Sequence, residues 1–123
     1  MTGRVRFLDH EGRRMLLTDL SELDPQHSPA VLDEARRLVS TLPMERSLLS
    51  LLVVRKMRFD PKTIDVMKQI GRANEPWVIA TAVVGLTAIG RVLARVVSTF
   101  SGRRHAAFET EEQAKEWLAR QRP

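Results

Sequence analysis

Apolar positions along this chain alternate between strand-like runs and three-to-four residue spacings, and the order of those patterns predicts the elements. Residues 4–8 and 14–20 are strand-like runs separated by DHEGRR, whose Asp9, Gly12 and polar neighbours read as a hairpin connection. LSELDPQHSP lacks an apolar period and carries two prolines, so it reads as a loop. Ser28 suits an N-cap and Pro29 the first helical position. Val31, Leu32, Ala35, Leu38, Val39 and Leu42 then follow at helical spacing up to Pro43. The uncharged run from Ser47 to Val54 has strand length and suits a central strand covered on both faces. Asp60 as N-cap and Pro61 behind it open a second helix with Ile64, Met67 and Ile70 as its buried stripe and Gly71 as its C′ residue.

Between Trp77 and Ser101 the sequence reads WVIATAVVGLTAIGRVLARVVSTFS, a β-branched run that passes directly into a helical pattern spaced by arginines. This is how a buried parallel strand feeding a surface helix is written. On a helical projection from Leu86 to Phe100 the apolar residues fill an arc of about 140° and Arg91, Arg95 and Ser98 lie opposite. After the SGRR turn, HAAF is a short strand. Thr110 then heads a capping box with Gln113, leading a helix that turns Ala114, Trp117 and Leu118 inward. Strand, strand, helix, strand, helix, strand, helix, strand, helix is the order of an α/β domain. It predicts one domain over residues 1–123, a mainly parallel sheet of about five strands with an N-terminal β-hairpin, and four helices.

Composition narrows the function classes. Cysteine is absent, which removes disulfides, thiolate nucleophiles and cysteine-based zinc sites and fits a reducing compartment. The N-terminal stretch has no apolar segment behind its basic residues, so the expected location is the cytoplasm. The uncharged run ending at Gly90 falls short of the roughly 20 residues of a membrane span, and Arg91 and Arg95 interrupt its continuation. A net charge of +5 would suit an acidic partner, but the basic residues fall in small groups with acidic residues between many of them. Tyrosine is missing and the few aromatics do not interleave with a basic ribbon, which argues against nucleic acid.

Catalytic signatures are missing as well. His10, His27 and His105 form no pair at metal-ligand spacing on a helix, and no nucleophile elbow, phosphate-cradling glycine loop or H-E-x-x-H occurs. Asp19, Ser21, Glu22 and Asp24 make an acidic patch that could hold a cation or act as a base. Loop solvation and capping are the plainer account of it. The expectation is a non-enzymatic protein without cofactor or metal. Open parallel sheets bind at the carboxyl ends of their strands, so the rim would comprise residues 19–24, 58–63 and 84–87, with Arg91 and Arg95 beside it for anionic head groups or an acidic protein surface.

Four segments together resemble the SpoIIAA-like family of the STAS superfamily: MLLTDLSELD after the hairpin, the apolar strand leading to RFD, EPWV before AVVGLTAIGRVLARVVSTFSGRR, and the closing AFETEEQAKEWL. The resemblance covers nearly the whole chain. It implies a mainly parallel sheet packed by helices, as in anti-anti-sigma factors and lipid-binding CRAL-TRIO domains. In the phosphorylatable members a serine opens the helix after the second long strand. Here that junction reads Phe59, Asp60, Pro61, Lys62, Thr63, which leaves Thr63 as the candidate phosphorylation site, with Asp60 opposing a phosphate there. Two functions follow as expectations. One is a regulatory or protein-interaction module, self-associating as a homodimer, that uses the surface of Asp19, Ser21, Asp24, Asp60, Thr63, Arg91 and Arg95. The alternative is a small carrier of lipid or another apolar ligand in a cavity beneath the Leu86–Phe100 helix.

Overall fold

The computed structural model of the chain describes residues 3–86 and 104–123. The elements are β1 (Val5–His10), β2 (Arg13–Asp19), α1 (Ser28–Ser40), β3 (Leu48–Val53), α2 (Pro61–Asn74), β4 (Val78–Val84), β5 (Arg104–Phe108) and α3 (Glu111–Ala119). The strands form one sheet in the order β1-β2-β3-β4-β5. β1 runs antiparallel to β2 and the other three pairings are parallel. The sheet is therefore mixed rather than mainly parallel, because a two-residue turn can only return the chain antiparallel. Three helices lie among the described residues, where four were predicted. The helix expected over Leu86–Phe100 lies, apart from Leu86, outside them, as do Arg91 and Arg95.

Local chemistry accounts for the element boundaries. Glu11 and Gly12 close the hairpin with φ of 50° and 76°, the double left-handed geometry that matches strand twist in a two-residue turn. Asp60 caps α2, its Oδ1 accepting from Thr63 N at 2.7 Å, and Thr110 caps α3, its Oγ1 accepting from Gln113 N at 3.2 Å. Two predicted helix boundaries are corrected. Ser28 is not a side-chain cap: it is the first residue of α1, fully buried, with its Oγ lacking a partner. Asp24 serves the helix entry instead, accepting from the N–H groups of Gln26 and His27 at 3.0 and 3.1 Å. Gly71 does not end α2, which runs on to Asn74. A helical glycine costs only about 1 kcal/mol against alanine, and nothing between it and Pro76 breaks a helix.

Two layers of apolar residues flank the sheet. On one face Met15 and Leu17 of β2, Leu49, Leu51 and Val53 of β3 and Ala80, Ala82 and Val84 of β4 pack with Ala114, Leu118 and Ala119 of α3. The alanines of β4 let α3 settle close to the strand, and Ala80, Ala82, Ala114 and Leu118 are all at 0% exposure. On the other face Leu16, Leu48, Val78 and Val83 meet Val31, Leu32, Ala35 and Val39 of α1. α2 packs mainly along α1. Thr63 is its one buried residue, while Ile64, Met67 and Ile70, the predicted buried stripe, are half-buried.

Candidate functional site

The half-buried stripe of α2 faces a cleft of about 130 Å³ between the α1–α2 layer and the sheet. Phe59 and, from α2, Ile64, Met67 and Ile70 line it together with Leu32, Ala35 and Val39 of α1. The sheet side carries Leu16, Ser50, Thr81 and His105. These four form one row across the strands, since Leu16 pairs with Ser50, Ser50 with Thr81 and Thr81 with His105. Neighbouring strands lie about 4.8 Å apart, so the row sets two hydroxyls and an imidazole side by side on a floor whose other polar member is Thr18, while Asn74 at the end of α2 also lines the cleft. Ser50 is half-buried although it belongs to the middle strand of five, which shows that solvent reaches the sheet through this cleft. No Asp, Glu, Lys or Arg is among its described lining residues.

A bulge makes this alignment. Leu48 pairs with Val78 but Leu49 pairs with Ala80, so Ile79 is an extra residue on β4. With an unbroken register Ser50 would face Ala80. The bulge advances β4 by one residue and brings Thr81 to Ser50, an effect for which bulges near functional sites are known.

The strand-end rim is a second, polar feature. Backbone bonds tie its loops together: Leu20 N to Val53 O at 2.8 Å, Glu22 N to Arg55 O at 2.8 Å, Arg58 N to Leu23 O at 2.9 Å and Gly85 N to Phe108 O at 3.2 Å. The loops reach these positions through left-handed backbone at Glu22, Lys56 and Gly85, with φ of 62°, 56° and 90°. Arg55, Lys56 and Arg58 stand exposed on the β3–α2 loop.

The structure assigns local duties to the rim residues singled out from sequence. Asp19 accepts from Ser21 N at 3.0 Å, and Arg4 donates to the Asp19 and Ser21 carbonyls at 3.2 and 3.1 Å. Asp24 lies 2.7 Å from His27 Nδ1 and 3.9 Å from Arg58 Nη2. The His27 hydrogen bond, with the backbone N–H groups of Gln26 and His27 behind it, holds the Asp24 carboxyl below its ordinary value. Asp60 is held low in the same way by the Thr63 hydroxyl and then the Thr63 N–H. Thr63 is only 1% exposed, so a kinase would meet its hydroxyl only after the first turn of α2 opened. Sequence reasoning missed Ser50 and Thr81. Their signal was a hydroxyl residue set inside each of two buried apolar strands, but only the register shows that they meet.

No family model matches this chain, and no curated protein matches it. Among solved structures it is similar to an uncharacterised protein of the DUF3478 family with a SpoIIAA-like fold, from Shewanella loihica PV-4. The TM-score is 0.69 at 11% identity, over 93% of this chain and 91% of that one. At that identity the likeness is one of fold: the chain has the α/β SpoIIAA-like fold. Among the described residues no helix is long and apolar enough to cross a membrane.

Proposed function

We propose that this protein is a non-enzymatic binding module that admits a small apolar molecule into the cleft between α2 and the sheet. One observation carries the reading. The helix stripe that should be core, Ile64, Met67 and Ile70, stands half-buried over a cleft with a polar row on its floor. Apolar pockets with a few convergent polar groups are the usual form of ligand sites. The volume of about 130 Å³ lies below the roughly 300–1,000 Å³ of pockets for larger ligands, which favours a compact molecule over a long-chain lipid. Native mass spectrometry of protein purified without detergent or delipidation tests it. A reproducible small added mass that organic extraction removes is expected. A bare chain whose backbone amides also ignore added small hydrophobes in NMR would count against it.

A second reading, a regulatory module of the STAS type that meets a protein partner, has its own support in the rim. Loops cinched by backbone bonds hold Arg55, Lys56 and Arg58 outward, a preorganised basic surface for an acidic partner. The same reading takes in Asp19, Ser21, Asp24, Asp60, Thr63, Arg91 and Arg95, with phosphorylation of Thr63 as its regulatory form and self-association as a further property. Arg55→Glu with Arg58→Glu should then abolish salt-sensitive capture of a discrete partner while the melting temperature holds. Capture that survives this charge reversal overturns the reading.

A further inference from the structure

The strand-end rim divides into a basic half and an acidic half. Val53, Val84 and Phe108 end their strands in one row of the parallel register. Just beyond that row β3 leads into Arg55 and Lys56, while β5 leads into Glu109 and then Glu111 and Glu112 in the first turn of α3. β4 lies between the two, so at about 4.8 Å per strand the halves leave the sheet about 10 Å apart. Arg55, Lys56, Glu109 and Glu112 are exposed. Neither Arg55 nor Lys56 has an ion-pair partner among the described residues. The halves are held at a fixed separation. Val54 N donates to Val84 O at 2.9 Å and Gly85 N to Phe108 O at 3.2 Å, and the Arg55 side chain lies against Gly85. Loops fixed in this way need no ordering when a partner arrives.

An acidic partner broad enough to span the rim would meet Arg55 and Lys56 only by facing Glu109 and Glu112 as well, and like charges brought together in a contact oppose it. A second copy meets no such conflict. A two-fold axis lying across the rim, between the halves, sets the basic half of each copy against the acidic half of the other and so makes the contact twice. We propose that the rim is a self-complementary surface whose partner is a second copy of this chain, with Arg55 and Lys56 of each copy against Glu109, Glu111 and Glu112 of the other. This proposal rests on the protein-interaction reading and names its partner. Exposed ion pairs are individually weak, so the dimer is reversible, growing with concentration and retreating with salt.

Sedimentation equilibrium of the full chain over a range of concentrations tests it. At about 0.1 M salt, where charges act over about 10 Å, the mass should rise from one chain and level at two; at about 1 M, where they act over about 3 Å, it should fall back to one. Arg55→Glu with Lys56→Glu should be monomeric alone, and so should Glu111→Lys with Glu112→Lys. Mixed in equal amounts the two variants should dimerise again, because an acidic rim then faces a basic one at both contacts, and that recovery shows that neither variant has unfolded. A chain that stays monomeric at low salt overturns the pairing. So does a variant that still dimerises alone, a mixture that does not dimerise, or a mass that climbs past two copies. If the chain is monomeric while Arg55→Glu with Arg58→Glu abolishes capture of a different partner, the pairing falls and the interaction reading stands. If that capture is untouched as well, both fall.

Discussion

At φ of 90° Gly85 turns the chain out of β4, and a Cβ built there would collide with Arg55 Cγ and lie 3.0 Å from Arg55 Cα. The first contact could be relieved by a flexible side chain, but the second is with backbone. Gly85→Ala should therefore destabilise the protein by about 1–3 kcal/mol, the usual scale of a residue forced into such backbone. Adding Arg55→Ala should restore only part of the loss in chemical denaturation. Full rescue would mean that the Cγ contact alone excluded the side chain. Asp60 makes a prediction of a different kind. Its carboxyl is held below the ordinary value of 3.8 by Thr63, so the stability it contributes is present above that value. It is lost as pH falls through the lowered one. Asp60→Asn keeps a capping oxygen that does not titrate. Its melting temperature should fall less steeply than that of the unaltered protein as pH drops from 3.8 downward, and equal slopes would show that the cap does not couple folding to protons.

The two ends of α3 separate a local interaction from a packing one. Thr110 satisfies one N–H at an exposed helix start, and Thr110→Ala should cost about 1 kcal/mol. Leu118 is at 0% exposure against β3 and β4, and Leu118→Ala should cost about 2–5 kcal/mol because the surrounding strands cannot collapse into the gap. Denaturant midpoints read both, and a larger loss at Thr110 would contradict the enclosure of Leu118 by the sheet. Elements of this kind were legible in the sequence because their causes are local. The hairpin follows from Asp9 and Gly12 between two short runs, and the caps at Asp60 and Thr110 follow from a residue and its third neighbour. Ser28 misled because a serine before Pro29 has the form of a cap, while the helix already includes Ser28 and Asp24, four residues upstream, takes the N–H groups of Gln26 and His27 just ahead of it. The cleft was not legible. It depends on α2 leaning on α1 more than on the sheet and on a one-residue bulge at Ile79, and neither leaves a mark in the spacing of apolar residues.

Among the described residues the two faces of the sheet are packed unlike each other. On the α3 side Ala80 and Ala82 pack with Ala114 and Leu118, all at 0% exposure, and Arg13 of the hairpin donates to the carbonyls of Ala119 and Gln121 at 2.9 and 3.1 Å to hold the helix end. On the opposite side α2 is pinned along α1 and by its Asp60 cap, with a solvent-reached cleft beneath its apolar stripe. Local opening costs less where less apolar surface is exposed by it. Amide exchange should therefore divide the protein by face, with β3, β4 and α3 exchanging only in global unfolding and the middle of α2 exchanging through a cheaper opening. If α2 is as protected as β4, the two faces are equally tight and the cleft is no weak point. Because a ligand that binds only the closed form stabilises it by mass action, a small hydrophobe that fills the cleft should slow exchange in α2 ahead of α3. The same experiment would then tie the weakest part of the fold to its site.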